Sequence, residues 1–204
     1  MIADRLAARH FTAQAELPGN LAEADISRLN PFLRYLLLTD GTVSRSLEAH
    51  TLRPVLVEPV EQSETLPPAD VAHHLQLGED EACMRRRIVM RVSPPEPSVW
   101  AESWVVPDRV PVEFLRALRD NSRGIGGSLE QLKLESWREL LWFGLGTPPP
   151  WPDPSTTTGK TLSRAYLVLI EHRPALLIAE DFALETRNGS YVLAGADPGR
   201  SEAT

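Results

Sequence analysis

Two charged side chains stand on apolar faces of segments that the sequence predicts to be strands. Side chains alternate between the two faces of a strand, so every second residue shares a face. In residues 175–185, Glu180 falls on the more apolar face. In residues 84–90, Arg86 falls on a face otherwise formed by methionine and isoleucine, while the neighbouring arginines take the opposite face. The sequence therefore predicts one core-facing carboxylate and one core-facing guanidinium.

These two side chains have two interpretations. The first is a structural ion pair across the sheet. The second is a closed pocket for an anionic ligand, in which Arg86 binds a carboxylate and Glu180 acts as an acid or a base. A third acidic residue, Glu102, shares a face with two tryptophans. We expect Glu102 to lie at a solvated strand edge or to pair with an arginine.

The elements that must position these residues are predicted from periodicity and turn signals. Residues 135–144 fit either a strand or a helix. The predicted strands are 53–60, 82–92, 98–106, 161–171, 175–185 and 191–195. The predicted helices are 20–38 (interrupted at Asn30-Pro31), a short helix after Thr42, 69–77, 111–119 and a short helix after GIGG. Consecutive hairpins with separate helices predict an α+β domain, in which helices cover one face of a single antiparallel sheet.

The chain reads as a single folding unit with less ordered ends. We expect a flexible N-terminal segment over residues 1–19 and one domain over residues 20–196. Within it, five prolines make residues 147–159 an exposed loop inserted between strands. We expect residues 197–204 to form a disordered tail.

Composition excludes several classes of function. The 204 residues include 21 basic and 28 acidic side chains, and the net charge of −7 argues against non-specific nucleic-acid binding. Cys83 is the only cysteine and the five histidines lack ligand spacing, so we expect no metal site. The sequence shows no signal peptide and no run of about 18 apolar residues, and we expect a cytoplasmic protein that does not bind membranes.

Two short motifs carry little functional information by themselves. GIGG at 124–127 lacks the strand–turn–helix context of a dinucleotide fingerprint, although its backbone N–H groups could contact an anion or simply form a tight turn. Ser44 and Ser46 lack the G-x-S-x-G elbow of serine hydrolases.

Five segments fall in the order and spacing of a known enzyme family. They are NPFLRYLLLTDGTVSRSLEAH (30–50), MRRRIVM (84–90), AESWVVPDRVP (101–111), GIGG (124–127) and RPALLIAEDFAL (173–184). Together they resemble the chorismate lyase family, in particular the branch of cyanobacteria and mycobacteria that comprises 4-hydroxybenzoate synthases. The resemblance covers about residues 25–190.

The resemblance implies a six-stranded antiparallel sheet, with helices over it that enclose a buried site. It implies conversion of chorismate to 4-hydroxybenzoate and pyruvate without a metal or organic cofactor. The family's carboxylate-binding arginine falls on Arg86 and its essential acidic residue on Glu180, whose role as acid, base or hydrogen-bond donor stays open. A backbone-amide contact to the ligand falls on Ile125, and an apolar flap residue falls on Val43.

One departure from the family pattern keeps other functions open. GIGG replaces the more usual proline-leucine-glycine at the amide contact. The pocket could serve another carboxylic acid, in an elimination or cyclisation of a natural-product pathway. Alternatively, the chain could be a non-catalytic sensor, since effector domains of some transcription regulators share this fold, although the 20 or so residues before Asn20 are too few for a helix-turn-helix domain. In each case we expect a small-molecule ligand and a monomer or weak dimer.

Overall fold

The protein folds around one antiparallel sheet. The computed structural model describes residues 2–92, 94, 96, 98–120, 124–152 and 159–196. The helices are α1 (Ile2–His10), α2 (Pro31–Leu38), α3 (Val43–Thr51), α4 (Ala69–Leu75), α5 (Val112–Arg119) and α6 (Ile125–Gln131). The strands are β1 (Leu56–Thr65), β2 (Cys83–Arg91), β3 (Val99–Val105), β4 (Ser136–Gly146), β5 (Lys160–Ile170), β6 (Arg173–Arg187) and β7 (Ser190–Leu193). They lie in the order β1-β2-β3-β6-β5-β4, and the short β7 pairs with β6. The predicted α+β class with a single antiparallel sheet is confirmed.

Local chemistry explains where several elements begin and end. The Asn30 side chain accepts a hydrogen bond from the backbone N–H of Leu33 at 2.8 Å, and Pro31 occupies the first turn of α2. At the turn from β6 to β7, Asn188 and Gly189 have φ values of 48° and 80°. Two successive positive φ values are what a tight two-residue hairpin requires, and asparagine followed by glycine adopts them readily.

The predicted helix over residues 20–38 is wrong in its first half. Only a short 3₁₀ turn, Ile26–Arg28, precedes α2 in this stretch. The reason is that the backbone of Ala22 bonds to the edge strand instead. Ala22 N–H donates to the Leu145 carbonyl at 2.8 Å, and the Ala22 carbonyl accepts from Leu145 N–H at 2.7 Å.

The N-terminal segment also lies against this edge of the sheet. Thr12 N–H donates to the Leu140 carbonyl and Ala13 N–H to the Leu141 carbonyl, each at 2.9 Å. Phe11 is buried against Phe143, with ring centroids 4.6 Å apart. The domain boundary that we expected at residue 20 therefore does not coincide with a change in packing.

Both faces of the sheet are covered. Helices α2 and α3 pack over one end of the front face, and α5 and α6 pack over the other end. On the back face, Val71 and Leu75 of α4 pack with Trp104 and Leu177. Our prediction of helices on one face only is wrong for α4, because the back face is apolar enough to need cover of its own.

The arginines that alternate with Arg86 lie on the back face. Glu61 pairs with both Arg85 and Arg87, and Arg87 Nε donates to Glu102 at 2.6 Å. The expectation that Glu102 pairs with an arginine is therefore confirmed. The period-two assignment of β2 holds, because these arginines and Arg86 point to opposite faces.

The predicted proline-rich loop is described in part. Residues 147–152 form neither a helix nor a strand, and the Arg87 guanidinium lies 5.2 Å from the centre of the Trp151 ring. Residues 153–158 lie outside the described residues, as does the predicted tail over 197–204. In the part of the chain that is described, no helix has the length and apolar character to cross a membrane.

Candidate active site

A cavity lies on the front face of the sheet, where the two pairs of helices meet. The N-terminal ends of α3 and α6 form its roof, and side chains of β2, β3, β5 and β6 form its floor. It holds about 540 Å³ of empty space, part of it open to solvent. All four residues that the sequence singled out line it: Val43, Arg86, Ile125 and Glu180.

Arg86 reaches the cavity from β2 and is only 2% exposed. Ile88 and Met90 follow it on the same face and form an apolar wall. Burial lowers the pKa of Arg86 below its ordinary value, because the apolar surroundings penalise the charged guanidinium. An anion bound beside Arg86 would relieve that penalty, and a guanidinium can hold a carboxylate with two parallel hydrogen bonds.

Glu180 is 4% exposed and is paired with Arg164 on the neighbouring strand β5. Both Nε and a terminal nitrogen of Arg164 lie 2.8 Å from Glu180 Oε2. Arg164 itself is fully buried. Glu180 therefore belongs to an ion pair across the sheet, but with Arg164, an arginine outside our first interpretation, and at the same time it faces the cavity.

Arg164 also fastens α2 to the sheet. Its guanidinium donates to the backbone carbonyls of Leu36, Leu37 and Thr39, the latter two at 3.2 and 3.1 Å. These carbonyls end α2, where no further helical N–H is available to bond them and where a cation is favoured. One arginine thus holds both Glu180 and the start of the loop that leads to Val43.

Sequence reasoning missed Arg164, although a signal was present. Sorting residues 161–171 by alternation places Arg164 on the same face as Leu162 and Tyr166. An arginine among apolar neighbours there would have indicated a partner for Glu180.

Tyr166 contacts the other oxygen of Glu180. Its hydroxyl donates to Glu180 Oε1 at 3.4 Å. Burial, with the nearby Glu180 charge, raises the pKa of Tyr166 above its ordinary value, so the hydroxyl stays protonated and able to donate.

Arg138, on β4, is a second cavity arginine that sequence reasoning missed. Its guanidinium lies 6.0 Å from the centre of the Tyr166 ring. The pattern of residues 135–144 did not distinguish strand from helix, so no face could be assigned to Arg138.

The roof is a close contact between two helix ends. A Cβ atom placed on Gly126 would lie 2.6 Å from Thr42 Oγ1 and 3.2 Å from Thr42 Cβ. This spacing lets α6 approach α3 more closely than a residue with a side chain would permit. Val43 is buried and points down into the cavity beside this contact. GIGG thus opens α6 directly, rather than forming a separate bend ahead of it.

An outer groove lies on the other side of the roof, between α3 and α6. Arg45 and Glu130 face each other there, with 2.7 Å between nitrogen and oxygen, and both are exposed. Thr42, Gly126 and Arg138 line both the groove and the cavity. The groove and the cavity therefore adjoin each other at the roof contact.

The cavity brings two guanidinium groups and one carboxylate together in a largely apolar enclosure, an arrangement that is able to bind an anionic ligand and to transfer a proton. Across the residues that the structure describes, no group of three or more histidine, cysteine, aspartate or glutamate side chains could hold a metal ion.

Comparisons with known proteins show the family of the chain and relatives of its fold. Residues 37–188 match the family described as "Chorismate pyruvate-lyase Rv2949c-like". A chorismate pyruvate-lyase of Mycobacterium tuberculosis H37Rv is 24% identical over 168 residues, which cover 79% of this chain and 84% of that protein. PhnF from Mycobacterium smegmatis has a TM-score of 0.55 at 9% identity, covering 72% of this chain and 65% of PhnF. A structure described as a regulator from Escherichia coli CFT073 has a TM-score of 0.51 at 12% identity, covering 65% of this chain and 98% of that one. At such identities the two structures are similar in fold alone.

Proposed function

The chain belongs to the Rv2949c-like chorismate pyruvate-lyase family, and we propose that it converts chorismate to 4-hydroxybenzoate and pyruvate. The observation that carries this proposal is the meeting of Val43, Arg86, Ile125 and Glu180 in one cavity. These four residues come from four separate elements of the chain, α3, β2, α6 and β6, and all lie within the matched span of 37–188.

Arg86 is proposed to bind the ring carboxylate of chorismate. It is buried, rigidly placed on a central strand and surrounded by apolar side chains that would contact the ring. In this setting the charged hydrogen bonds form away from water, where they are stronger. Positioning of this kind orients the substrate before any bond breaks.

The roof is proposed to exclude water and to supply a backbone contact. Ile125 is the first residue of α6, so its N–H has no partner within the helix and can donate to a ligand oxygen. Val43 closes the apolar side of the cavity. Exclusion of water strengthens the electrostatic contacts to the substrate and protects it from side reactions.

Glu180 is proposed to accept the proton that leaves C4 of the ring. Arg164 Nε donates to Oε2 and the Tyr166 hydroxyl donates to Oε1, so the carboxylate is held in a fixed position where it faces a ligand in the cavity. As the C4–H bond breaks, its electrons form the C3–C4 double bond, and the C3–O bond breaks to release enolpyruvate. The ring becomes aromatic, and enolpyruvate takes up one proton to give pyruvate.

This reaction conserves the atoms of the substrate in its two products. No water or oxidant is consumed, and the gain of aromaticity drives the step. The protein therefore contributes orientation, proton transfer and a dry site, and we propose that it needs no metal or organic cofactor.

The test is incubation of the purified protein with chorismate, with both products followed by chromatography and spontaneous decay subtracted. Release of 4-hydroxybenzoate and pyruvate in equal amounts supports the proposal. Release of neither product from folded protein overturns it.

A ligand sensor is the second candidate, favoured by the fold similarity to the Escherichia coli regulator. A sensor would bind 4-hydroxybenzoate or a related acid tightly and leave chorismate unchanged. An enzyme that acts on a different acid would neither convert chorismate nor bind it well. The same incubation, followed by calorimetric titration with 4-hydroxybenzoate, separates these cases.

A further inference from the structure

We propose that Arg138 binds the second carboxylate of the substrate, the one on its enolpyruvyl group, while Arg86 binds the ring carboxylate. This inference rests on the proposed function and adds a substrate-binding residue to it. Chorismate carries one carboxylate on the ring and one on the side chain that leaves. The side-chain carboxylate distinguishes chorismate from the 4-hydroxybenzoate product.

Arg86 and Arg138 approach the cavity from different walls. Arg86 is on β2 and Arg138 is on β4, with β3, β6 and β5 between them. Four strand spacings of about 4.8 Å put the two backbones roughly 19 Å apart along the sheet. Two long side chains that line one cavity from such distant strands suit a ligand with an anionic group at each end.

Arg138 has unused capacity to bind. Its Nε atom is buried and has no hydrogen-bond partner among the described residues. Its guanidinium lies 6.0 Å from the centre of the Tyr166 ring and within hydrogen-bonding reach of the Tyr166 hydroxyl, and the ion pairs seen among the described residues do not involve it. A buried N–H without a partner carries an energetic cost that a ligand oxygen would remove.

The charges of the site favour a dianion. Glu180 is the one acidic residue among the described residues that line the cavity, and Arg164 balances its charge. Arg164 is committed to Glu180 and to the end of α2. Arg86 and Arg138 are the two guanidinium groups among the described residues that line the cavity, and their number matches the two carboxylates of the substrate.

The position of Arg138 also suits binding of the enolpyruvyl group, which is the leaving group of the proposed reaction. Arg138 lines the outer groove as well as the cavity, which places the enolpyruvyl end of the substrate beneath the roof contact of Thr42 and Gly126. The ring end would then lie deeper, at Arg86. Pyruvate would be the product nearest the groove.

The experiment compares chorismate with 4-hydroxybenzoate in three variants: R138Q, R138K and R45Q. Arg45 is the matched control, because it is a groove arginine that does not line the cavity. We expect R138Q to lower kcat/KM for chorismate by about 10- to 100-fold, the effect of one lost charged hydrogen bond. The Kd of R138Q for 4-hydroxybenzoate should stay within about twofold of the wild type, since this ligand lacks the second carboxylate. R138K should lie between R138Q and the wild type, and R45Q should match the wild type.

Two results would overturn the assignment of Arg138 while wild-type turnover still supports the proposed function. One is an R138Q protein that converts chorismate as the wild type does. The other is equal weakening of chorismate and 4-hydroxybenzoate by R138Q, which would indicate a general disturbance of the cavity. If R138Q does not fold, R138K decides the matter by the same comparison. Absence of turnover in the wild type would instead count against the proposed function.

Discussion

Arg164 ties Glu180 to the carbonyl end of helix α2. Its Nε atom donates to Glu180 Oε2 at 2.8 Å, and the same guanidinium donates to three backbone carbonyls at the end of that helix. The candidate proton acceptor and the end of α2, which precedes the loop to Val43 in the roof, therefore share one buried anchor. A change at Arg164 therefore removes a contact from both groups.

Replacement of Arg164 tests this anchor. We expect R164M to destabilise the fold by about 3–5 kcal/mol, because it leaves the Glu180 carboxylate buried without its cation. The double variant R164M/E180M should be more stable than R164M, since it removes the isolated charge along with its partner. Urea unfolding of the three proteins measures both effects. A loss below about 1 kcal/mol in R164M would contradict the anchor role.

Replacement of Glu180 by glutamine tests its role in proton transfer while it keeps the shape of the side chain that contacts Arg164. E180Q keeps the side-chain shape and removes the proton acceptor, so kcat for chorismate should fall at least about 100-fold. The control is E185Q on the same strand, since Glu185 is exposed and pairs with Arg187 away from the cavity. Steady-state kinetics checks the difference. An unchanged kcat in E180Q would remove Glu180 from the mechanism.

The sequence alone predicted that Arg86 and Glu180 lie on apolar, core-facing sides of their strands, since alternation along β2 and β6 depends only on neighbouring residues. The capping preference of asparagine, which is also a local signal, predicted Asn30 at the start of α2. Arg138 was not assigned, because β4 has no clear period. The bonds between residues 12–22 and β4 join segments more than 120 residues apart along the chain, and no local pattern reports them.

Asp181 gives the protein a stability that depends on pH. Asp181 lies next to Glu180 on β6 but on the back face, where it accepts a hydrogen bond from Ser163. Burial raises the pKa of Asp181 from 3.8 to about 6, and the charges of Glu102 and Glu180 add to the effect. Because the folded state prefers the protonated form, ionised Asp181 destabilises the fold above pH 6, and this cost fades as the pH falls towards 4.

D181N should therefore gain stability relative to the wild type as the pH rises. Asparagine is uncharged at every pH, so the difference between the two proteins should be larger at pH 8 than at pH 4.5, by at most about 3 kcal/mol. Thermal unfolding of both proteins at the two pH values measures it. A difference that does not change with pH would show that Asp181 titrates normally.

The close contact in the roof can be tested with a pair of glycines. G126A should destabilise the fold by about 1–3 kcal/mol, because its Cβ would overlap Thr42 and push α6 away from α3. G124A is the matched control, since nothing lies within 4 Å of a Cβ at that position. G126A should also raise KM for chorismate, as the roof closes less well. Equal stability and kinetics in the two variants would mean that the contact does not hold the roof in place.

The most direct test of the account compares turnover in R86A and R85A. These adjacent residues on β2 point to opposite faces: Arg86 into the cavity, and Arg85 to Glu61 on the back. With chorismate as substrate, the wild type and R85A should release 4-hydroxybenzoate and pyruvate in equal amounts at similar rates. R86A should lose at least about 100-fold in kcat/KM, the equivalent of about 3 kcal/mol of carboxylate binding, and keep its fold. No product from the wild type, or equal losses in R85A and R86A, would contradict the account.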